Sequence, residues 1–241
     1  MGAPVYIQIH DEISEAIEAG RWVPGDKIPA ERELAEQFGV SRMTLRQAVM
    51  MLVDEGVLER RVGSGTYVAE RKVQEQLNGV TSFTEMMAAA GKVATSRTIS
   101  FHIGKASNSE QEQLQLGEDG QVLRMERVRY GNDEPIAFEV ASIPATLVDG
   151  LARESLTNSL YRTLSEERGL KIGRAQQTVT AAAVTERISE YLGIKRGDPV
   201  LVMRQITFDT NNRPFEYVRT QYVGSRFEFF WKNNHKQNAY M

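Results

Sequence analysis

The sequence predicts an α+β chain in two parts: a small N-terminal domain of three helices and a hairpin, then a larger mixed α/β domain built on an antiparallel sheet. Three observations predict it. Helical periodicity fills residues 5–55 in three short runs and gives way to a glycine-tipped hairpin. Beyond residue 77 strand and helix patterns alternate. A length of 241 residues suits two modest domains better than one small one.

Composition narrows the class. Hydrophobic residues at 41% and charged residues at 25% are those of an ordinary soluble globular chain. No apolar run approaches the roughly 18 residues of a membrane helix, and no charged-then-apolar leader opens the chain. Zero cysteines exclude disulfides, thiolate catalysis and cysteine-ligated zinc. The expectation is a cytoplasmic protein with no cofactor, no metal and no membrane partner.

The first helix runs from about Val5 to Ala19, with Ile13 and Ile17 on its apolar stripe and Gly20 as its stop. Pro24-Gly25 makes a turn. A second helix covers Ala30–Phe38 and closes at Gly39. Ser41 caps a third helix that ends near Glu55. Two short strands, 57–61 and 66–69, flank Gly63-Ser64-Gly65. Helix, turn, helix and hairpin together outline a winged helix-turn-helix over residues 1–69.

Residues 70–77 are charged and nearly free of apolar side chains, so 70–78 reads as a linker with partial helix. The second domain then covers 79–241. Helices are expected at 82–90, 109–116, 154–168 and 185–192. Strands are expected at 97–103, 122–130, 136–142, 174–183, 200–208 and 214–223. Gly131-Asn132-Asp133-Glu134 joins two of these as a hairpin. The tail from 232 to 241 reads as polar and frayed, and no internal repeat is visible.

The third helix carries the chemistry of a DNA reader. Leu45, Ala48 and Leu52 share its buried side, while Arg42, Thr44, Arg46 and Gln47 point outward near its N-terminus. A recognition helix presents its N-terminal residues to the major groove. Arginine suits guanine, glutamine suits adenine, and threonine suits phosphate or the thymine methyl. Ser41 leaves backbone N–H groups free for a phosphate. A capped surface helix with solvated charges has the same pattern. Net charge is no help: residues 1–69 hold seven Lys/Arg against eleven Asp/Glu, a net −4, although Arg42, Arg46, Arg60 and Arg61 cluster in the DNA-facing stretch. Local charge decides phosphate contact, because screening acts over ~8–10 Å.

The run from Pro29 through Ala48, Leu52 through Gly56, and Gly63-Ser-Gly-Thr-Tyr-Val68 resemble the GntR family of bacterial regulators, without a gap over 4–69. The resemblance implies that Arg32, Arg42, Thr44 and Arg46 contact operator DNA and that the wing tip at Gly63 enters the minor groove, with Ser41, Gln47, Arg61 and Ser64 beside them. Ala30 departs from a serine common in the branch, removing a cap worth ~1 kcal/mol.

In the second domain, Ser82 and Glu85 form a capping box. Arg127 and Arg129 lie two apart, on one strand face with Leu123 and Met125. Two arginines on an apolar face need an anion: either an internal one such as Glu139 or a bound one. Tyr161 reads equally as core, and Glu216, Thr220 and Tyr222 share a strand face. Residues 75–235 are similar to the ligand-binding domain of the HutC branch of the GntR family, whose fold is like that of chorismate lyase. The similarity is greatest to amino-sugar-utilisation members, whose effector is a phosphorylated amino sugar. It implies that Ser82, Phe83, Thr84, Arg127, Arg129, Ser159 and Tyr161 hold the phosphate, and that Glu139, Arg174, Glu216 and Tyr222 meet the sugar.

The expected function is a repressor that binds an inverted-repeat operator as a homodimer and answers to N-acetylglucosamine 6-phosphate or glucosamine 6-phosphate. Another anionic metabolite, such as trehalose 6-phosphate or a urocanate-like carboxylate, is the alternative. A lyase-like enzyme is the alternative of another class. Against it stand the absence of a nucleophile motif and three histidines (10, 102 and 235) without an evident partner.

Overall fold

The computed structural model describes residues 3–70, 72–77 and 79–231. It divides into two compact units, Met1–Arg71 and Lys72–Met241. The tail read from 232 to 241 lies outside the described residues.

In the first unit, α1 (Val5–Glu18), α2 (Glu31–Phe38) and α3 (Arg42–Asp54) precede β1 (Leu58–Arg61) and β2 (Gly65–Val68). The two strands pair antiparallel, with Leu58 opposite Val68 and Arg61 opposite Gly65. Ile9 and Ile13 of α1, Leu34 of α2, Leu45 and Leu52 of α3, and Leu58 and Val68 of the hairpin form one buried core. Boundaries follow local chemistry. Gly39, at φ +63, ends α2 in the left-handed region. The Ser41 hydroxyl accepts the Thr44 N–H at 3.1 Å and starts α3. Ala30 offers α2 no such acceptor, but the Glu33 carboxylate reaches back to the Ala30 N–H at 3.3 Å.

The second unit runs β3 (Val73–Gln76), α4 (Phe83–Ala89), β4 (Ala94–Lys105), α5 (Asn108–Leu114), β5 (Gln121–Gly131), β6 (Glu134–Pro144), α6 (Ala145–Val148), α7 (Arg153–Asn158), α8 (Leu160–Arg168), β7 (Ile172–Ala183), α9 (Glu186–Leu192), β8 (Pro199–Asp209), β9 (Pro214–Val223) and β10 (Phe227–Phe230). Six strands make one antiparallel sheet in the order β4-β5-β6-β9-β8-β7. Asn132 and Asp133, both at positive φ, turn β5 into β6.

The sheet is covered on both sides, and β5 shows how. Val122 packs with Leu114 of α5, and Val128 with Leu192 of α9. On the alternate positions, Leu123 and Met125 pack with Leu156, Leu160 and Leu164 of α7 and α8. Farther along that face, Ala137 and Tyr222 pack with Val73, Phe83, Met87 and Phe227 of β3, α4 and β10. Arg127 and Arg129 fall on that face too.

Two expectations are corrected. The segment expected as a partly helical linker contains a strand: β3 pairs in parallel with β10, Val73 opposite Phe227 and Glu75 opposite Phe229. Val73 and Glu75 are buried while Gln74 and Gln76 are exposed, so the period is two, concealed by an acid at an inward position. The single helix expected over 154–168 is two. Ser159 is extended (φ −152, ψ 87) and separates α7 from α8.

Candidate functional site

The outward side of α3 is set by its buried side. With Leu45, Ala48, Val49 and Leu52 committed to the core, Arg42, Met43, Arg46 and Gln47 are left exposed and Thr44 half-buried. Thr44 also bonds the Ser41 hydroxyl at 2.8 Å. Arg42 and Arg46 make no ion pair among the described residues. Arg32, exposed on the first turn of α2, has only a loose contact to Glu36 at 3.7 Å.

The hairpin is braced for a protruding tip. Arg60 pairs with Glu31 at the start of α2. Arg61 bonds Glu59 and lies 4.2 Å over the Tyr67 ring, and Ser64 meets the Tyr67 hydroxyl at 2.6 Å. Gly63 has φ +75 with open space around it, whereas a Cβ on Gly65 would lie 2.6 Å from Cε of Lys27. Gly63 is therefore required by backbone conformation, and Gly65 by conformation and packing together. Two exposed apolar residues were not foreseen: Met43 on α3 and Val62 at the tip, 73% and 105% exposed. His10 does have partners, contrary to expectation. Its nitrogens lie 2.8 Å from Asp11 and 2.7 Å from Glu55, and these hydrogen bonds, Glu55 first, raise its pKa.

In the second unit a cavity opens on the Arg127 face of the sheet. Ser82, Phe83, Thr84, Arg127, Arg129, Glu139, Ser159, Tyr161, Glu216 and Tyr222 all line it. The structure does not bring Arg174 there. That residue lies on the edge strand β7, bonds Asn212 at 2.8 Å and stacks 3.7 Å over Phe208. Glu75, Gln205 and Thr220 line the cavity although sequence reading did not single them out as site residues. The alternation on β8 and β9 was the available signal for Gln205 and Thr220.

The two arginines differ. Arg127 is satisfied internally: it pairs with Glu139, its cross-strand neighbour, and donates to the Thr157 carbonyl at 2.8 Å. That carbonyl belongs to the last turn of α7, where the break at Ser159 leaves it without a helical partner. Burial pushes the Glu139 carboxyl up, but Arg127 and Arg129 outweigh it and hold the carboxyl below its usual range. Arg129 is 4% exposed, and its Nε and Nη1 have no hydrogen-bond partner among the described residues. Its guanidinium lies 4.4 Å over Phe83. Burial, with Arg127 adding repulsion, lowers its pKa to about 10, so it stays charged near neutrality. A register shift in the β5–β6 ladder falls beside it, a feature that re-aims side chains.

Glu216 anchors a hydrogen-bond network. It accepts from Tyr161 at 2.5 Å and from Thr207 at 3.0 Å, and Gln205 donates to Tyr161 at 3.1 Å. Burial pushes the Glu216 carboxyl up to about 7 despite these bonds.

Residues 5–68 match the family described as bacterial regulatory proteins, gntR family, and residues 89–228 match the UTRA domain. The chain belongs to the GntR family. The HTH-type transcriptional repressor NagR of Bacillus subtilis is 37% identical over 94% of this chain and 93% of its own. The mannosyl-D-glycerate transport/metabolism system repressor MngR of Escherichia coli is 34% identical over 94% of each. Among solved structures, PhnF from Mycobacterium smegmatis has a TM-score of 0.70 at 30% identity, covering 95% of this chain and all of that one. The chain is thus a bacterial DNA-binding transcription repressor of the HutC type, with a GntR helix-turn-helix and a UTRA domain. Its relatives are named as repressors and regulators, not enzymes. No helix among the described residues is long and apolar enough to cross a membrane.

Proposed function

We propose that this GntR repressor is released from, or tightened on, its operator by a phosphorylated amino sugar bound in the UTRA cavity. The observation that carries the reading is Arg129: a buried, charged guanidinium with two donors unmet, aimed into a cavity. An unpaired buried charge is costly, and a phosphate would satisfy it with charge-assisted hydrogen bonds. Ser82, Thr84, Ser159 and Tyr161 add hydroxyls around the same space, Phe83 stacks on the arginine, and Arg127 adds positive potential while remaining tied to Glu139. Glu139, Glu216 and Tyr222 face the sugar. Arg174 has no part in it.

On the DNA side, Arg42, Thr44, Arg46 and Gln47 read bases, Ser41 and Arg32 hold phosphates, and Arg61, Gly63 and Ser64 bring the wing to the minor groove. Met43 adds an apolar contact of the kind thymine methyls accept. Two chains act as a homodimer on an inverted repeat.

Calorimetry on the full chain tests the effector. Glucosamine 6-phosphate or N-acetylglucosamine 6-phosphate should bind, the unphosphorylated sugars should bind at least about a hundredfold more weakly, and Arg129→Met should bind none of them. Mannosyl-D-glycerate serves as the carboxylate control. Equal binding of phosphorylated and free sugars would remove the phosphate from the reading.

A further inference from the structure

Glu75 has no role in that reading, and its surroundings give it one. It lies on β3, four residues after the first unit ends at Arg71. Its side chain is 2% exposed and lines the cavity, and its Oε2 has no hydrogen-bond partner among the described residues. Packing does not call for an acid here, because Val73, on the same face of the same strand, fills the core without one. Nor is the residue held out toward solvent: pairing with β10 fixes its register opposite Phe229, beside the Tyr222–Phe227 stack at 3.9 Å.

The other two acids of the cavity are already committed. Glu139 is paired with Arg127, and Glu216 accepts from Tyr161 and Thr207. Glu75 and Arg129 form no ion pair with one another among the described residues, and each retains unmet atoms. The cavity therefore presents two separate demands: an anion for Arg129 and a donor for Glu75. Hydroxyl donors can meet a buried carboxyl, as Tyr161 and Thr207 meet Glu216, but a partner that brings positive charge also offsets the cost of burying the ionised form.

Resting on the effector reading above, we infer that Glu75 is an effector-binding residue that accepts a hydrogen bond from an ammonium group, so the effector carries a free amine as well as a phosphate. Among hexosamine phosphates that selects the unacetylated form. Burial favours the neutral acid and pushes the carboxyl up to about 7, although the Tyr222 hydroxyl beside it acts in the opposite direction; an arriving ammonium at the unmet Oε2 favours the ionised form. The contact also places effector recognition on the first strand after the DNA-binding unit.

The test is calorimetry on the full chain with glucosamine 6-phosphate, N-acetylglucosamine 6-phosphate, glucose 6-phosphate and inorganic phosphate. The wild type should prefer glucosamine 6-phosphate to glucose 6-phosphate by about tenfold or more, and Glu75→Gln, which keeps shape and loses charge, should erase that preference while phosphate binding stays within about twofold. Glu75→Leu, checked for folding by circular dichroism, should do the same. A preference unchanged in Glu75→Gln overturns this assignment and leaves the effector reading standing. A wild type that binds no sugar phosphate overturns both.

Discussion

Arg127 and Arg129 are two residues apart with the same side chain, yet the structure gives them opposite energetics. Arg127 is one half of a buried pair, so Arg127→Met removes the hydrogen-bonded partner of Glu139, leaves it only the nearby charge of Arg129, and should lower stability by about 3 kcal/mol. Arg129→Met removes a charge that has no internal partner and should leave Tm unchanged or higher, while abolishing anion binding. Scanning calorimetry with and without ligand separates the two; equal destabilisation by both would mean that Arg129 has a structural partner after all. The buried acids make a second prediction at this scale. Burial raises Glu216 from 4.5 to about 7, so the native state binds more protons than the unfolded chain between those values. Its contribution therefore favours folding at low pH and is lost as pH rises through that window. Tm of the UTRA unit should fall from pH 5 to pH 7.5, and less steeply in Glu216→Gln. A slope identical in that variant would show that the carboxyl does not titrate there.

The wing is an element whose tip can be altered without touching the core. At Gly63 a Cβ meets nothing within the chain but must adopt φ +75, so Gly63→Ala should cost about 1–2 kcal/mol and leave the first unit folded. Operator affinity should fall further than that strain explains if the backbone approaches the minor groove; gel shifts against a stability measurement decide, and an affinity loss no larger than the stability loss removes the tip from the interface. The elements that sequence captured are those whose patterns carry their own punctuation, such as α3 between Ser41 and Gly56, or the β5–β6 hairpin at Asn132-Asp133. The three helices and hairpin of the first unit and the six-stranded sheet were legible on this basis. Three features of the second unit were not. The strand β3 was hidden because one of its two inward positions is an acid, placed there against propensity. The break at Ser159 depends on one extended residue inside a helical pattern, although Thr157 and Ser159, poor helix formers, hint at it. Arg174 pairs with Phe208, whereas the cavity-lining Gln205 and Met203 pair with Gln177 and Val179, so the alternation of β7 puts Arg174 on the other face of the sheet as well as on its edge. Ten of the eleven candidates line the cavity: strand alternation pointed to Arg127, Arg129, Glu216 and Tyr222, whereas Ser82, Phe83, Thr84, Ser159 and Tyr161, at helix starts, rested on the family resemblance; Glu75 lay in a segment read as a linker.

At the scale of the whole molecule, charge argues for two chains on DNA. The protein carries a net charge of −3, and its first unit is itself acidic, so long-range attraction to DNA is weak. Affinity must come from a few placed cations: Arg32, Arg42, Arg46 and Arg61 are the available set, and Arg61 is partly occupied by Glu59 and Tyr67. Three or four phosphate contacts from one chain imply a salt slope of only ~−3 to −4, and non-specific complexes of that strength have Kd values of ~10⁻⁴–10⁻⁶ M. A dimer doubles the contacts and adds a second recognition helix related by a two-fold axis, which is what an inverted repeat demands. The expected outcome is a homodimer by light scattering, bound to a full operator with a slope of ~−5 to −7 and to a half-site far more weakly. Arg46→Ala in both chains should lose ~1–3 kcal/mol of discrimination at each affected base pair, and with it most preference for operator over random sequence. A monomer that binds half-site and full operator equally, with a slope near −3, would show instead that each chain works alone and that the symmetry of the operator plays no part in recognition.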